Sequence, residues 1–232
     1  MAKSPAWLRL SHRFACAVLW IFACAGAQAA RPMLTDDARV VDPGFCQLEA
    51  WSTRQPDQAE YWGLPACSSG EGREWALGAN RARQGPSDSS IALIQYKRIA
   101  RNLEPQSLGA AWTVGAQSSA TGWRSYLNFP ISWLSRDERS LLHLNVGLAS
   151  PETSTRWGRP WGLAMEHRLS RPLWLIAERY STDSERWQVQ AGVRWWIMPE
   201  RLQVDATWGR QKKSLDATAF ASLGIRWVFP AP

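Results

Sequence analysis

The side chains best equipped for chemistry beyond residue 30 are His143, His167, Cys46, Cys67 and an alternating set of acids and guanidinium groups: Glu166, Arg168, Glu178, Arg194, Asp205 and Arg226. Acyl transfer at a lipid face needs Ser, His and an orienting acid or amide on one surface. Asn145 lies two residues from His143, but the local alternation puts that histidine on the polar phase and His167 on the apolar one. Neither a Gly-x-Ser-x-Gly elbow nor a metal-ligand spacing occurs. The reading therefore assigns no catalytic residue, no metal and no cofactor. His143 is expected as a hydrogen-bonding residue of a polar interior and His167 as an interfacial one. The charged set suits ion pairing: packed in a narrow interior, it either plugs the space or leaves a selective eyelet. Asp205 is expected beside Arg194 on one flank and near Arg226 on the other, with Glu166, Arg168 and Glu178 further round the wall.

What must position these groups is a repeating beat of segments about ten residues long, clearest from Ser107 to Phe229, in which apolar side chains alternate with small or polar ones. Period two is the mark of a strand with one apolar and one polar face. Candidate strands are Phe45 to Thr53, Tyr61 to Cys67, Glu74 to Arg83, Ser90 to Arg101, Ser107 to Ser118, Arg124 to Leu134, Leu141 to Ser150, Arg159 to Ser170, Leu173 to Ser181, Arg186 to Met198, Leu202 to Arg210 and Ala217 to Phe229. That count predicts an all-β antiparallel transmembrane barrel of about 12 strands, with ten as the alternative. Short connections such as Ser170 to Pro172 and Pro199 to Arg201 define a turn side. Arg83 to Ser90, Ser150 to Arg159 and Arg210 to Ala217 are expected as longer loops on the other side, which leaves both termini periplasmic.

Alternation alone does not say which face meets water. The apolar phase includes Leu142, Leu144, Val146 and Leu148, and the polar phase His143, Asn145, Gln190, Arg194, Gln203 and Asp205. Tryptophan placement decides for lipid outside. Trp133, Trp195 and Trp227 lie near turn-side strand ends on the apolar phase, and Trp161, Trp187 and Trp208 near loop-side ends, as two aromatic girdles require. Arg81 and Arg179 share the outer phase near the loop-side end, where long stems snorkel. With Arg83, Arg159 and Arg186 they are candidates to meet lipopolysaccharide phosphates.

Residues 1–29 read as a secretion signal: Lys3, Arg9 and Arg13 in front, an apolar stretch from Phe14 to Ala25, and Ala27 with Ala29 as the small-x-small site. The formal charge of the whole chain is +7, and losing a leader with three basic residues and no acid leaves +4. The remaining basic residues are scattered, so nucleic acid is not an expected partner. Beyond the leader, 30–43 is expected as a periplasmic segment, 44–229 as the barrel and 230–232 as a tail. Phe229 is followed by Pro230, Ala231 and Pro232, which displaces the terminal aromatic that the barrel assembly machinery reads. In the oxidising compartment that a leader implies, Cys46 and Cys67 form one possible disulfide. If the first two strands are a hairpin turning around Gln55 to Ala59, both lie equally far from the midpoint between Pro56 and Asp57 and face one another.

The run Thr35, Asp36, Asp37, Ala38, followed by Gly44, Cys46, Gln47, Leu48, Glu49 and Trp51, resembles the opening of a family of uncharacterised proteobacterial outer-membrane barrels. That family is similar to transporters linked by name to the phenol meta-cleavage pathway. The resemblance implies an outer-membrane barrel and passage of small, aromatic or hydrophobic molecules, and it carries over no functional residues. Asp36 and Asp37 are expected in a solvated turn ahead of the first strand. A narrow channel is thus the leading reading. A closed barrel that anchors or organises outer-membrane lipid comes second, and a lipid-modifying enzyme third.

Overall fold

The computed structural model describes residues 33–119, 122–151, 156–182, 186–212 and 216–232; the leader read over 1–29, and residues 30–32, lie outside them. Twelve strands form in chain order: β1 (Phe45–Arg54), β2 (Gln58–Gly70), β3 (Arg73–Gln84), β4 (Ser87–Arg101), β5 (Leu108–Ser119), β6 (Gly122–Leu134), β7 (Ser140–Ala149), β8 (Trp161–Arg168), β9 (Leu173–Ser181), β10 (Trp187–Met198), β11 (Leu202–Lys212) and β12 (Ala217–Pro230). Each pairs antiparallel with its chain neighbours, and β1 closes on β12 from Phe45↔Pro230 to Arg54↔Ala221. Closure removes both sheet edges, so every strand backbone finds a partner without water.

The barrel is inside-out compared with a soluble one. Leu142, Leu144, Val146 and Leu148 on β7 all point outward and are exposed, whereas His143 and Asn145 between them are buried. Gln190 and Arg194 on β10 and Gln203 and Asp205 on β11 are likewise buried inside. An apolar band of this extent is far beyond the patches that water-soluble monomers tolerate. Of the six girdle candidates, Trp133, Trp195 and Trp227 are exposed at the turn side, and Trp161 and Trp208 toward the loop side. Trp187 is half-buried.

Cys46 and Cys67 face each other in the β1–β2 register and are joined by a disulfide. The connection expected from Arg83 to Ser90 is tighter than the composition suggests. Strands β3 and β4 continue through the polar stretch and turn between Gln84 and Ser87, with Gly85 supplying the positive φ. At the other end β12 runs through to Pro230, and Ala231 N–H donates to Gly44 O (2.8 Å), which ties the tail to the start of β1.

Candidate functional site

The segment that leads into β1 does not stay outside. Met33, Thr35, Asp37, Ala38, Val40 and Val41 are all buried, because residues 33–41 lie inside the barrel, above its turn side. A lone irregular chain brings backbone N–H groups into a lumen where each needs an acceptor. Wall side chains provide them: Glu74 on β3 accepts from Val41 N–H (2.9 Å), Ser132 on β6 from Ala38 N–H (2.9 Å), Asn145 on β7 from Asp36 N–H (2.9 Å) and Glu178 on β9 from Thr35 N–H. Asn145 also donates to Asp36 O (2.7 Å), so one amide clasps the segment by both backbone groups. Lys97 on β4 reaches Asp36 Oδ1 (2.9 Å) and Asp37 Oδ1 (3.5 Å), and Arg39 Nε holds Asp37 Oδ2 (3.1 Å). Met33 packs on Ala164 and Ile176 at the top. The solvated turn expected at Asp36 and Asp37 is corrected: Asp37 is 3% exposed, and what draws the segment in is a wall already furnished with acceptors and one lysine.

Three of the six charged residues singled out from sequence cluster, and the other three take separate places. Glu166, Arg194 and Asp205 do come together. Arg194 faces Asp205 in the β10–β11 register, binds it through Nη2 (3.0 Å) and Nε (3.0 Å), and donates from Nη1 to Glu166. Gln203 Nε2 adds a bond to Asp205 (3.3 Å). Glu178 instead serves the inner segment and Gln190 Nε2 (3.0 Å). Arg226 and Arg168 have other partners. Arg226 lies opposite Glu49 and donates to Gln47 Oε1 (2.7 Å), since the β11–β12 register sets Gly224, not Arg226, against Asp205. Arg168 stays at the turn-side end, bonded to Asp137 O (3.3 Å) and lying over the Trp174 ring.

His143 completes the interior network. Its Nδ1 is 2.8 Å from Ser132 Oγ and its Nε2 is 3.4 Å from Glu166 Oε1, so Ser, His and Glu stand in the order of an acyl-transfer triad. All three are buried to within 2% exposure, and Ser132 Oγ accepts the Ala38 N–H. Here the trio anchors the inner segment. His167, on the outer phase, is 2.9 Å from Ser140 Oγ through Nδ1.

Above the inner segment the lumen opens into a cup of about 450 Å³ toward the loop side. Leu34 and Asp36 form its floor. One wall is aromatic: Trp51 and Trp62 stack with centroids 5.3 Å apart and planes 9° from parallel, beside Leu93, Tyr126 and Phe220. Trp62 Nε1 donates to Glu60 Oε1 (2.8 Å), which also accepts from Asn80 (2.7 Å), so the ring is fixed in place. The other walls are mostly uncharged polar groups such as Thr113, Gln117, Asn128, Gln188 and Gln211, with Arg124 and Arg186 toward the mouth. On the outer phase at that end, Arg81 and Arg83 pair with Asp88 (2.5 and 3.5 Å), and Arg179 lies over the Trp161 ring.

A closed antiparallel barrel of twelve strands with a polar lumen defines the class: an outer-membrane porin-type fold. The chain belongs to the family described as "Uncharacterised conserved protein UCP029691", whose model matches residues 17–227. No curated protein matches the sequence. Among solved structures it is similar to the KdgM porin in complex with disordered oligogalacturonate (TM-score 0.62, 8% identity, 79% of this chain and 99% of that one). It is similar to the NanC porin (0.62, 8%, 78% and 98%). It is also similar to the COG4313 outer membrane channel from Pseudomonas putida F1 (0.59, 10%, 83% and 98%). At such identities the likeness is one of fold.

Proposed function

We propose that the protein is an outer-membrane channel for small molecules, held closed by its own N-terminal segment. The observation that carries this reading is the vertical division of the lumen: a cup that ends on Leu34 and Asp36, and below it a single irregular segment held by side chains rather than by a sheet ladder. Several individually modest bonds hold that segment, so it can leave without breaking the barrel. The apolar exterior, the aromatic side chains near both ends and the fold shared with porins support placement in the outer membrane. The family resemblance read from Thr35 to Trp51 adds aromatic molecules as one candidate cargo.

The test is a reversible lock. Ala38 and Ser132 touch, so Ala38→Cys with Ser132→Cys is expected to form a bond that clamps the segment to β6. In liposome swelling and planar bilayers, the oxidised lock should abolish solute flux, and a reductant should restore it, with the wild type under the same reductant as control. Lys97→Met, which removes the wall cation bound to Asp36 and Asp37, should raise the open fraction at least tenfold. Equal flux with the lock open or shut would remove the gate. A second reading, the closed structural barrel, is favoured by the same plug, and absence of flux in the wild type, the reduced lock and Lys97→Met alike would select it.

A further inference from the structure

We infer that the loop-side cup is a binding site for a neutral saccharide of one or two rings; its role as cargo rests on the channel reading above, whereas the binding itself does not. The first ground is the pair of stacked indoles. Trp51 and Trp62 form a rigid apolar plate, with the Trp62 N–H already committed to Glu60, so the plate offers a face and no further donor from that ring. A ligand on it needs a flat, C–H-rich side, which a pyranose presents and which an aromatic plate covers well.

The second ground is independent of the first. Thr113 Oγ1 and Gln211 Nε2 both line the cup, are almost wholly buried (2% and 4% exposed), and have no hydrogen-bond partner among the described residues. Buried polar groups are nearly always paired, so an exception inside a cavity points to what fills it. Thr113 stands on β5 and Gln211 on β11, six places apart in a ring of twelve, and therefore on opposite walls. A ligand serving both carries hydrogen-bonding groups on two opposite edges. A simple phenol, with one hydroxyl on a ring, satisfies one wall and leaves the other unpaired. A ring or ring pair ringed with hydroxyls satisfies both.

Charge argues for neutrality. The acid on the floor, Asp36, is held by Lys97 at 2.9 Å, and Glu60 already accepts from two N–H donors. Arg124, toward the mouth, gives its Nε–H to Ser150 O (3.3 Å). With the two acids on the lining, Asp36 and Glu60, matched by the two arginines Arg124 and Arg186, the cup has no net charge, and its remaining polar groups are hydroxyls and carboxamides, which recognise hydroxyls by hydrogen bonding without a counter-charge. A volume of about 450 Å³ lies within the usual range for small-ligand sites.

Isothermal titration of the full purified chain tests this, in lauryldimethylamine oxide so that no sugar-headed detergent competes. Maltose, cellobiose and lactose are the neutral probes, with galacturonic acid and 4-hydroxybenzoate as charged comparators. At least one disaccharide should bind saturably, and more tightly than either comparator. Thr113→Val and Gln211→Leu should each weaken it about fivefold or more, and Trp62→Leu at least tenfold, with heat-modifiable migration on gels confirming that each variant is folded. Binding of none of the three, tighter binding of galacturonic acid or 4-hydroxybenzoate, or unchanged affinity in folded variants would overturn the assignment. Flux without disaccharide binding would sink this inference alone, and disaccharide binding without flux in any variant would sink the channel reading alone.

Discussion

The two halves of the lumen are built on the same alternating wall and are filled in opposite ways. On the turn side, charged residues are packed to near-zero exposure: Arg194 between Glu166 and Asp205, Lys97 against Asp36 and Asp37, Glu74 against a backbone amide. Toward the loop side the wall carries stacked indoles, amides and hydroxyls around open space. The difference lies in what completes each half. The turn side is completed from within, by a stretch of the chain's own backbone, and its carboxylates act as acceptors for an unpaired strand as much as partners for cations. Toward the loop side the described residues leave open space, and Thr113 Oγ1 and Gln211 Nε2 at its wall have no partner among them.

If that contrast is right, breaking the charged half should cost most. Arg194→Met leaves Glu166 and Asp205 buried side by side without the cation between them. Removing one partner of a buried ionic network costs about 3–5 kcal/mol, read as a lower urea midpoint for heat-modifiable migration in detergent. Adding Glu166→Gln and Asp205→Asn to the same chain should recover most of the loss, and failure to recover would mean that the arginine's packing, not its charge, holds this end together. Next comes the Cys46–Cys67 bridge, which closes a separation of 21 residues at the turn-side end of the first hairpin. Cys46→Ser with Cys67→Ser should cost about 3 kcal/mol if restraint of the unfolded chain dominates. An unchanged midpoint would show that the closed sheet alone fixes the β1–β2 register.

A smaller change aims at the seam between the halves. Gly162 on β8 lies against the inner segment, and a methyl group built on it would overlap Thr35 Oγ1. Gly162→Ala should cost about 1–3 kcal/mol of overpacking, and the flexible side to yield is the segment, not the barrel. The measurement is trypsin cleavage after Arg39, expected to be slow in the wild type and at least fivefold faster in the variant while the barrel band stays intact. Equal cleavage rates would mean that the segment is anchored by its hydrogen bonds strongly enough to absorb the added methyl.

The sequence was legible where a residue's neighbours along the chain decide its fate. The alternation of Leu142, Leu144, Val146 and Leu148 with His143, Asn145 and Gly147 fixes a strand and its two faces without reference to anything distant. Cys46 opposite Cys67 follows from one hairpin, and Arg194 opposite Asp205 from another. The inner segment was not legible in this way. Met33 to Val41 has neither length nor a sheet ladder of its own, and its acceptors Glu178 and Asn145 lie 143 and 109 residues away from the amides that they serve. One signal was available: the polar phase carries Glu178 with Gln190 and Ala164, and no cation, set against it by register, and an inward acid of that kind needs donors from somewhere. Arg226 has a bond that was hidden for the same reason: its acceptor Gln47 lies 179 residues away.

The smallest predicted effect belongs to the open half. Tyr126 OH donates to Gln95 Oε1 (2.9 Å) at the edge of the cup, a single neutral bond beside open space. Tyr126→Phe removes that donor and leaves the ring in place, and Gln95 can turn toward solvent in the cup instead of being stranded. The net cost of such a bond is about 0.5–1.5 kcal/mol, and this site belongs at the lower end. The urea midpoint should therefore move little, and trypsin cleavage after Arg39 should not change, since the bonds described for the inner segment run to Glu74, Lys97, Ser132, Asn145 and Glu178. A loss as large as that of Arg194→Met would erase the distinction between the halves: it would mean that the loop side is as tightly completed as the turn side, with the cup a stiff part of one continuous core.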